Sequence, residues 1–150
     1  MPGKSDAGDL SIATCLETIL SRLHDHPAIA AVWLFGSVAQ GRARSGSDID
    51  LAVLFVPGLS PVERFDLRLT LMRELEDIAR RPVDVVDMES APLFLQHQVR
   101  KTGRLILEKD RQRRIDFDVR SRRDYFDLKP LLKRRRAAML GRCLKEGDEK

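Results

Sequence analysis

Cysteine is nearly missing from this 150-residue chain: Cys15 and Cys143 stand far apart and without motif spacing. Neither a disulfide framework nor a cysteine-built metal site is written there, and a reducing cytoplasm is the expected setting. Histidine is almost as scarce. His24, His26 and His97 are scattered, and the first two are two residues apart instead of the four that place a helical metal pair on one face. Surface or capping roles are therefore expected for them. No apolar run approaches the roughly 18 residues that span a bilayer, which excludes a transmembrane helix. Met1-Pro2-Gly3-Lys4-Ser5-Asp6 also lacks the apolar core of a signal peptide. Internal repeats and low-complexity segments are absent too.

What is present describes a globular domain able to bury a core unaided, with 43% hydrophobic and 33% charged residues. The net charge of +4 is unevenly spread. Residues 1–109 carry 13 Lys/Arg against 15 Asp/Glu, whereas residues 110–150 carry 14 against 8. The basic excess thus sits in the tail, which reads either as a binding surface for an acidic partner or nucleic acid, or as a solvated helical face.

Hydrophobic spacing divides the chain. Leu10, Ala13, Leu16, Ile19, Leu20 and Leu23 recur at helical intervals up to Pro27, with Cys15 among them on the core side. Ala28 to Phe35 is short, apolar and closed by Gly36, the pattern of a buried strand with Trp33 in the core. Val38 to Ser47 reads as a linker with one helical turn at its start. A second strand is expected from Asp48 to Val56, then a long helix opened by Pro61, with Phe65, Leu69, Met72, Leu75, Ile78 and Ala79 as its apolar stripe. Pro82 to Met88 predicts a third strand, Ala91 to Lys101 a helix, and Arg104 to Glu108 a fourth strand. Beyond Asp110 the pattern is helical and charged. Phe117, Tyr125, Phe126, Leu128, Leu131 and Leu132 are the expected anchors there, and Pro130 is expected to bend or divide the helix. The fold class is α/β, a small mixed sheet flanked by helices with a C-terminal helical extension.

The chemistry concentrates at the start of the second strand. Asp48 and Asp50 are two residues apart, so they project from one face about 6.5 to 7 Å apart. Two like charges so placed call for a counter-charge, and hard oxygen ligands without His or Cys favour magnesium. Gly36-Ser37 precedes them by ten intervening residues. Gly36 permits a sharp turn and close backbone approach to a phosphate, and the Ser37 hydroxyl adds a donor. A third carboxylate comes from the third strand. Asp84 lies between Val83 and Val85, where an unpaired carboxylate would be costly to bury, and it can face Asp48 and Asp50 if the strands are neighbours. Asp87 is the rival, on the opposite face by strand parity and better suited to capping the following helix.

Together, Leu34-Phe35-Gly36-Ser37, the ten-residue gap, Asp48-Ile49-Asp50 and Asp84 resemble the polymerase-β-type nucleotidyltransferase superfamily. Gly41 and Ser47 are similar to its minimal nucleotidyltransferase (MNT) subgroup, a likeness covering roughly residues 9–109. The string Arg123-Asp124-Tyr125-Phe126-Asp127-Leu128-Lys129-Pro130 resembles the extension on MNT proteins that act as antitoxins to HEPN ribonuclease toxins. The resemblance implies a nucleotidyltransferase domain over residues 1–109 and a basic helical extension over residues 110–150 that packs on the domain or on a partner. It implies AMP transfer from ATP to a tyrosine of a HEPN toxin partner, with no membrane and no direct nucleic-acid binding. Asp48, Asp50 and Asp84 would be the catalytic residues and the ligands of two Mg2+ ions. Gly36, Ser37, Arg42 and Ser47 would bind the nucleotide, with Arg44 a weaker candidate.

Three other functions compete. One is nucleotide transfer to a small-molecule hydroxyl such as an aminoglycoside, but such relatives carry a substantial second domain for which this chain has little room. Another is neutralisation of the toxin by contact alone, against which the intact Gly36, Ser37, Asp48, Asp50 and Asp84 argue. The last is an RNA-binding tail, whose affinity would fall steeply with salt. Tyr125 is read as an aromatic anchor in preference to a modification acceptor.

Overall fold

The computed structural model describes residues 4–41 and 48–148, with side chains described over 12–41 and 48–142. Its elements run α1 (Lys4–His24), β1 (Ile29–Phe35), α2 (Gly36–Ala39), β2 (Ile49–Phe55), α3 (Pro61–Ala79), β3 (Val83–Asp87), α4 (Leu93–Thr102), β4 (Arg104–Glu108) and α5 (Arg111–Asp148). The four strands form one sheet in the order β3-β2-β1-β4. β1 is antiparallel to β2 and β4, and β2 is parallel to β3. The helix α3 makes the crossover that a parallel pair requires.

Both faces of this sheet are covered, which is why β1 and β2 are almost uniformly apolar instead of alternating. Strand parity sorts their side chains between two cores. Val32, Leu34, Ile49, Leu51, Val53, Phe55, Val83 and Val85 pack with Ile19 and Leu23 of α1 and with Leu71, Leu75 and Ala79 of α3. On the other face Ala31, Trp33, Ala52 and Leu54 pack with Met88, Val99 of α4 and Phe117 of α5. Each such fully buried large side chain contributes about 1.5–3 kcal/mol relative to exposure.

α3 begins at a complete capping box. Ser60 Oγ accepts from the Glu63 amide, and the Glu63 carboxylate accepts from the Ser60 amide. Its buried stripe keeps Met72, Leu75, Ile78 and Ala79 of the six residues expected. Leu71, Leu75 and Ala79 face the core with Leu67 and Ile78 beside them, whereas Phe65 and Leu69 are 52% and 39% exposed. Phe65 and Leu69 fit a helical repeat with Met72 and Ile78, but that row lies at the margin of the buried face.

The tail also departs from expectation. α5 is one continuous 38-residue helix with Pro130 inside it, so Pro130 does not divide it. Such a helix extends about 57 Å, while the longest strands have seven residues and span about 23 Å. The helix outruns the sheet. Its first part is tied down: Phe117 is buried, Arg113 donates to Phe55 O, and Ser121 Oγ lies 2.6 Å from Gln96 Oε1. Glu89 accepts from both Arg113 and Arg120, and although burial opposes its ionisation, these partners hold its carboxyl below the ordinary range. Of the other expected anchors, Tyr125 and Leu128 are half-buried, but Phe126 is 75% and Leu131 56% exposed, and Leu132 is exposed as well. They lie where no sheet remains to receive them. Among the described residues no helix is long and apolar enough to cross a membrane.

Candidate active site

Strand parity sets the direction of the carboxylates. Ile49, Leu51 and Val53 point into the core beneath α1 and α3, so Asp50 projects toward the opposite face, and Asp48, two residues earlier, shares that parity. On one side Asp50 pairs with Phe35 of β1, the residue immediately before Gly36. On the other it pairs with Asp84 of β3 in the parallel register. Two strand neighbours thereby bring the Gly36-Ser37 turn and Asp84 to the same carboxylate.

The approach of the turn is close. Gly36 has φ +76°, a left-handed conformation that side chains rarely adopt. A Cβ added there would run into Asp50 Oδ2 and come within 3.1 Å of Asp50 Cγ. Both the backbone and the space demand glycine. Ser37 follows in the first turn of α2, half-buried.

Electrostatics mark Asp50 out. Burial first, then the charges of Asp84 and Asp48, push its carboxyl above the ordinary carboxylate range. No described Lys or Arg forms an ion pair with Asp48, Asp50 or Asp84. Asp84 is exposed, not buried, so desolvation is not the reason it needs partners. Its place is fixed by the register opposite Asp50. Asp87 faces the other way and is satisfied: 7% exposed, it accepts from Arg64 Nε at 2.8 Å, Ser90 Oγ at 2.8 Å and the Glu89 amide at 3.1 Å. It caps the turn after β3 instead of α4, whose N-cap position is Pro92.

Arg42, Arg44 and Ser47 lie outside the described residues. Among the described residues no three His, Cys, Asp or Glu side chains form a ready-made metal cage. The donor set nevertheless suits magnesium in kind, because Mg2+ prefers oxygen, keeps several waters and is held by one or two carboxylates together with substrate phosphates. An uncompensated Asp50 beside two further carboxylates is the charge arrangement that such an ion relieves.

The remaining candidates have structural roles. His26 Nδ1 accepts from the Ala28 amide, the Cys15 thiol points at Ala79 O, and Trp33 is core. His97 stacks on Tyr125 with ring centroids 3.9 Å apart. Two arrangements escaped the sequence reading. Arg64 as partner of Asp87 was hidden because 23 residues separate them. The grouping of Arg100 with Arg122 and Tyr125 depends on how α4 meets α5, which no local pattern encodes.

The chain is similar to known proteins. Residues 17–112 match the family described as Polymerase beta, Nucleotidyltransferase. The chain is 37% identical over 87 residues to the protein adenylyltransferase MntA of Shewanella oneidensis, a match covering 57% of this chain and 60% of that protein's length. Among solved structures, it is similar to a chain of a toxin-antitoxin crystal structure with AMP-PNP, at 28% identity and TM-score 0.63, covering 80% of this chain and 91% of the other. It is also similar to a chain of the tri-AMPylated Shewanella oneidensis HEPN toxin in complex with MNT antitoxin, at 25% identity and TM-score 0.58, covering 84% and 92%.

Proposed function

The chain belongs to the polymerase-β nucleotidyltransferase family, and we propose that it is a magnesium-dependent protein adenylyltransferase that moves AMP from ATP onto a tyrosine hydroxyl of a HEPN-type toxin, thereby acting as its antitoxin. The observation that carries this reading is Asp50, half-buried, uncompensated by any described cation, pressed against Gly36 and paired in register with Asp84. The adenylyltransferase name of the Shewanella relative and the toxin partner of the related complexes supply the donor, the acceptor and the biological setting. ATP chemistry of this kind belongs in the cytoplasm.

Each residue has a distinct task. Backbone N-H groups at Gly36 and the Ser37 hydroxyl hold triphosphate oxygens, and Arg42 and Ser47 contact the nucleotide from the segment between α2 and β2. Asp48, Asp50 and Asp84 would hold the magnesium. When bound, it neutralises charge on the departing pyrophosphate and lowers the pKa of the acceptor hydroxyl. The tyrosine oxygen forms a bond to the α-phosphorus as the bond from that phosphorus to the α,β-bridging oxygen breaks. Pyrophosphate leaves, and Asp84 takes the hydroxyl proton. The exposure of Asp84 suits this task, because a macromolecular acceptor must reach it from solvent.

Residues 1–109 carry the transferase and residues 110–150 the extension. The start of α5 packs on the sheet, while Phe126, Leu131, Met139 and Leu140, all more than half exposed, offer an apolar surface among arginines that suits the toxin partner. AMP on the tyrosine then adds bulk and negative charge beside the toxin's RNA-cleaving site.

Purified chain, partner toxin and labelled ATP test the reading. Label at the α-phosphate passes to the toxin and label at the γ-phosphate does not. Asp48→Asn with Asp50→Asn lowers the rate about 1,000-fold or more. Transfer of γ-label, or an undiminished rate in the folded double variant, would overturn it.

A further inference from the structure

α4 and α5 meet in a second chemically distinct place. A cavity of about 360 Å3 opens between them, lined by Arg100, Lys101, Arg122 and Lys129 around the stacked His97 and Tyr125. Its volume falls within the range of small-molecule sites. Arg100 is the unusual member. Its Nε and Nη2 are buried and have no hydrogen-bond partner, although buried donors are nearly always satisfied. Burial lowers the pKa of its guanidinium; Asp118 offsets this in part, and Arg122 adds to it. Asp118 attracts Arg100 without bonding to it: its Oδ2 is held by Arg114 at 2.8 Å, and its Oδ1 is buried and, like the Arg100 donors, has no hydrogen-bond partner. Burial, and then the charges of Arg100, Lys101 and Lys129, hold the His97 imidazole below its ordinary value. A guanidinium lining a cavity with three further cations is suited to receive a phosphate group.

The aromatic side chains narrow the ligand. Phe126 sits at the rim, 75% exposed, beside the His97-Tyr125 stack. Exposed rings next to a cationic floor suit a flat base joined to a phosphate, because base stacking tolerates any π-face while the cations hold the phosphodiester. The location is suggestive as well. Arg100 and Lys101 lie in the last turn of α4, and Gly103 just beyond them packs so tightly that an added Cβ would stand 3.1 Å from Leu34 O and 3.4 Å from Phe35 Cβ. The notch thus adjoins the end of β1 that leads into the Gly36-Ser37 turn.

We propose that the α4–α5 notch is a second nucleotide site, binding a nucleoside monophosphate unit by its phosphate at Arg100 and Arg122 and by its base against the aromatic rim. The choice of nucleotide rests on the adenylyltransferase reading, because that reaction leaves on the acceptor just such a unit, one phosphate and one base. The ligand is then either free AMP or the adenylate attached to tyrosine.

Calorimetric titration of the full chain with AMP, with inorganic phosphate and with a tyrosine peptide carrying AMP tests this. AMP binding survives Asp48→Asn/Asp50→Asn within about twofold and weakens about tenfold or more in Arg100→Gln/Arg122→Gln, the size expected for lost charge-assisted hydrogen bonds. Lys101→Gln/Lys129→Gln, at exposed positions that cannot unfold the domain, weakens AMP about threefold or more. Tighter binding of the modified peptide than of AMP identifies the transferred adenylate as the ligand, and the reverse identifies free nucleotide. Unchanged AMP affinity in both notch variants, loss of AMP binding in the carboxylate variant, or phosphate binding as tightly as AMP would overturn the proposal. If α-label transfer fails while AMP still binds and the notch variants lose it, the site stands and the transferase reading falls.

Discussion

Asp84 and Asp87 lie on one five-residue strand and have opposite surroundings. Asp87 is buried, paired with Arg64 and bonded to Ser90 and the Glu89 amide, so its charge is fully used in holding the turn after β3 against α3. Asp84 is exposed, in register with Asp50, and no described cation pairs with either. The Asp87 end of β3 is a completed structure. The Asp84 end is incomplete, because burial and then the charges of Asp84 and Asp48 raise the cost of ionising Asp50 until something positive arrives. Function is read from that imbalance, since a carboxylate retained only for the fold would carry its partner with it.

Substitution at each end should give opposite results. The largest change in stability is expected at the completed end. Asp87→Ala removes the charge partner of the Arg64 guanidinium, whose side chain is only 17% exposed and keeps Leu59 O and Ser90 Oγ as acceptors, and should cost about 3 kcal/mol. The shift of the urea midpoint measures it. A loss below about 1 kcal/mol would make Asp87 no more than a surface ion pair.

A smaller effect of the opposite sign belongs to the incomplete end. Because the folded-state pKa of Asp50 is raised, its protonated form is favoured in the fold. Its contribution to stability is therefore full below the ordinary carboxylate range and is lost as pH rises through the raised value. At neutral pH and without divalent cations, Asp50→Asn should thus raise the melting temperature slightly. The difference from wild type should shrink as pH falls through the carboxylate range. A variant that melts lower at neutral pH would mean that Asp50 has a structural partner after all.

The contrast also explains what was legible in the amino-acid sequence. Gly36-Ser37 and Asp48-x-Asp50 could be read because a turn and a period-two strand are local. The four strands could be read because a sheet covered on both faces leaves short apolar runs between turn residues. Asp84 was singled out on the premise of burial, yet the structure leaves it exposed and brings it to Asp50 through the pairing of β2 with β3. Phe65, Leu69, Phe126 and Leu131 were misplaced for one reason. Helical spacing tells which residues share a face, but not whether another element covers it, and the far half of α5 has outrun the sheet. The α4–α5 notch was illegible because its cations come from two helices whose crossing is set by Phe117, Val99 and the Gln96-Ser121 hydrogen bond.

The most direct test of the central claim is the intact mass of the partner toxin after co-expression with this chain, wild type or Asp48→Asn/Asp50→Asn. The account predicts a toxin heavier by whole AMP units with the wild type and unmodified with the variant. A toxin left unmodified by the wild-type chain yet bound tightly to it would contradict the account and make this an antitoxin that works by contact alone.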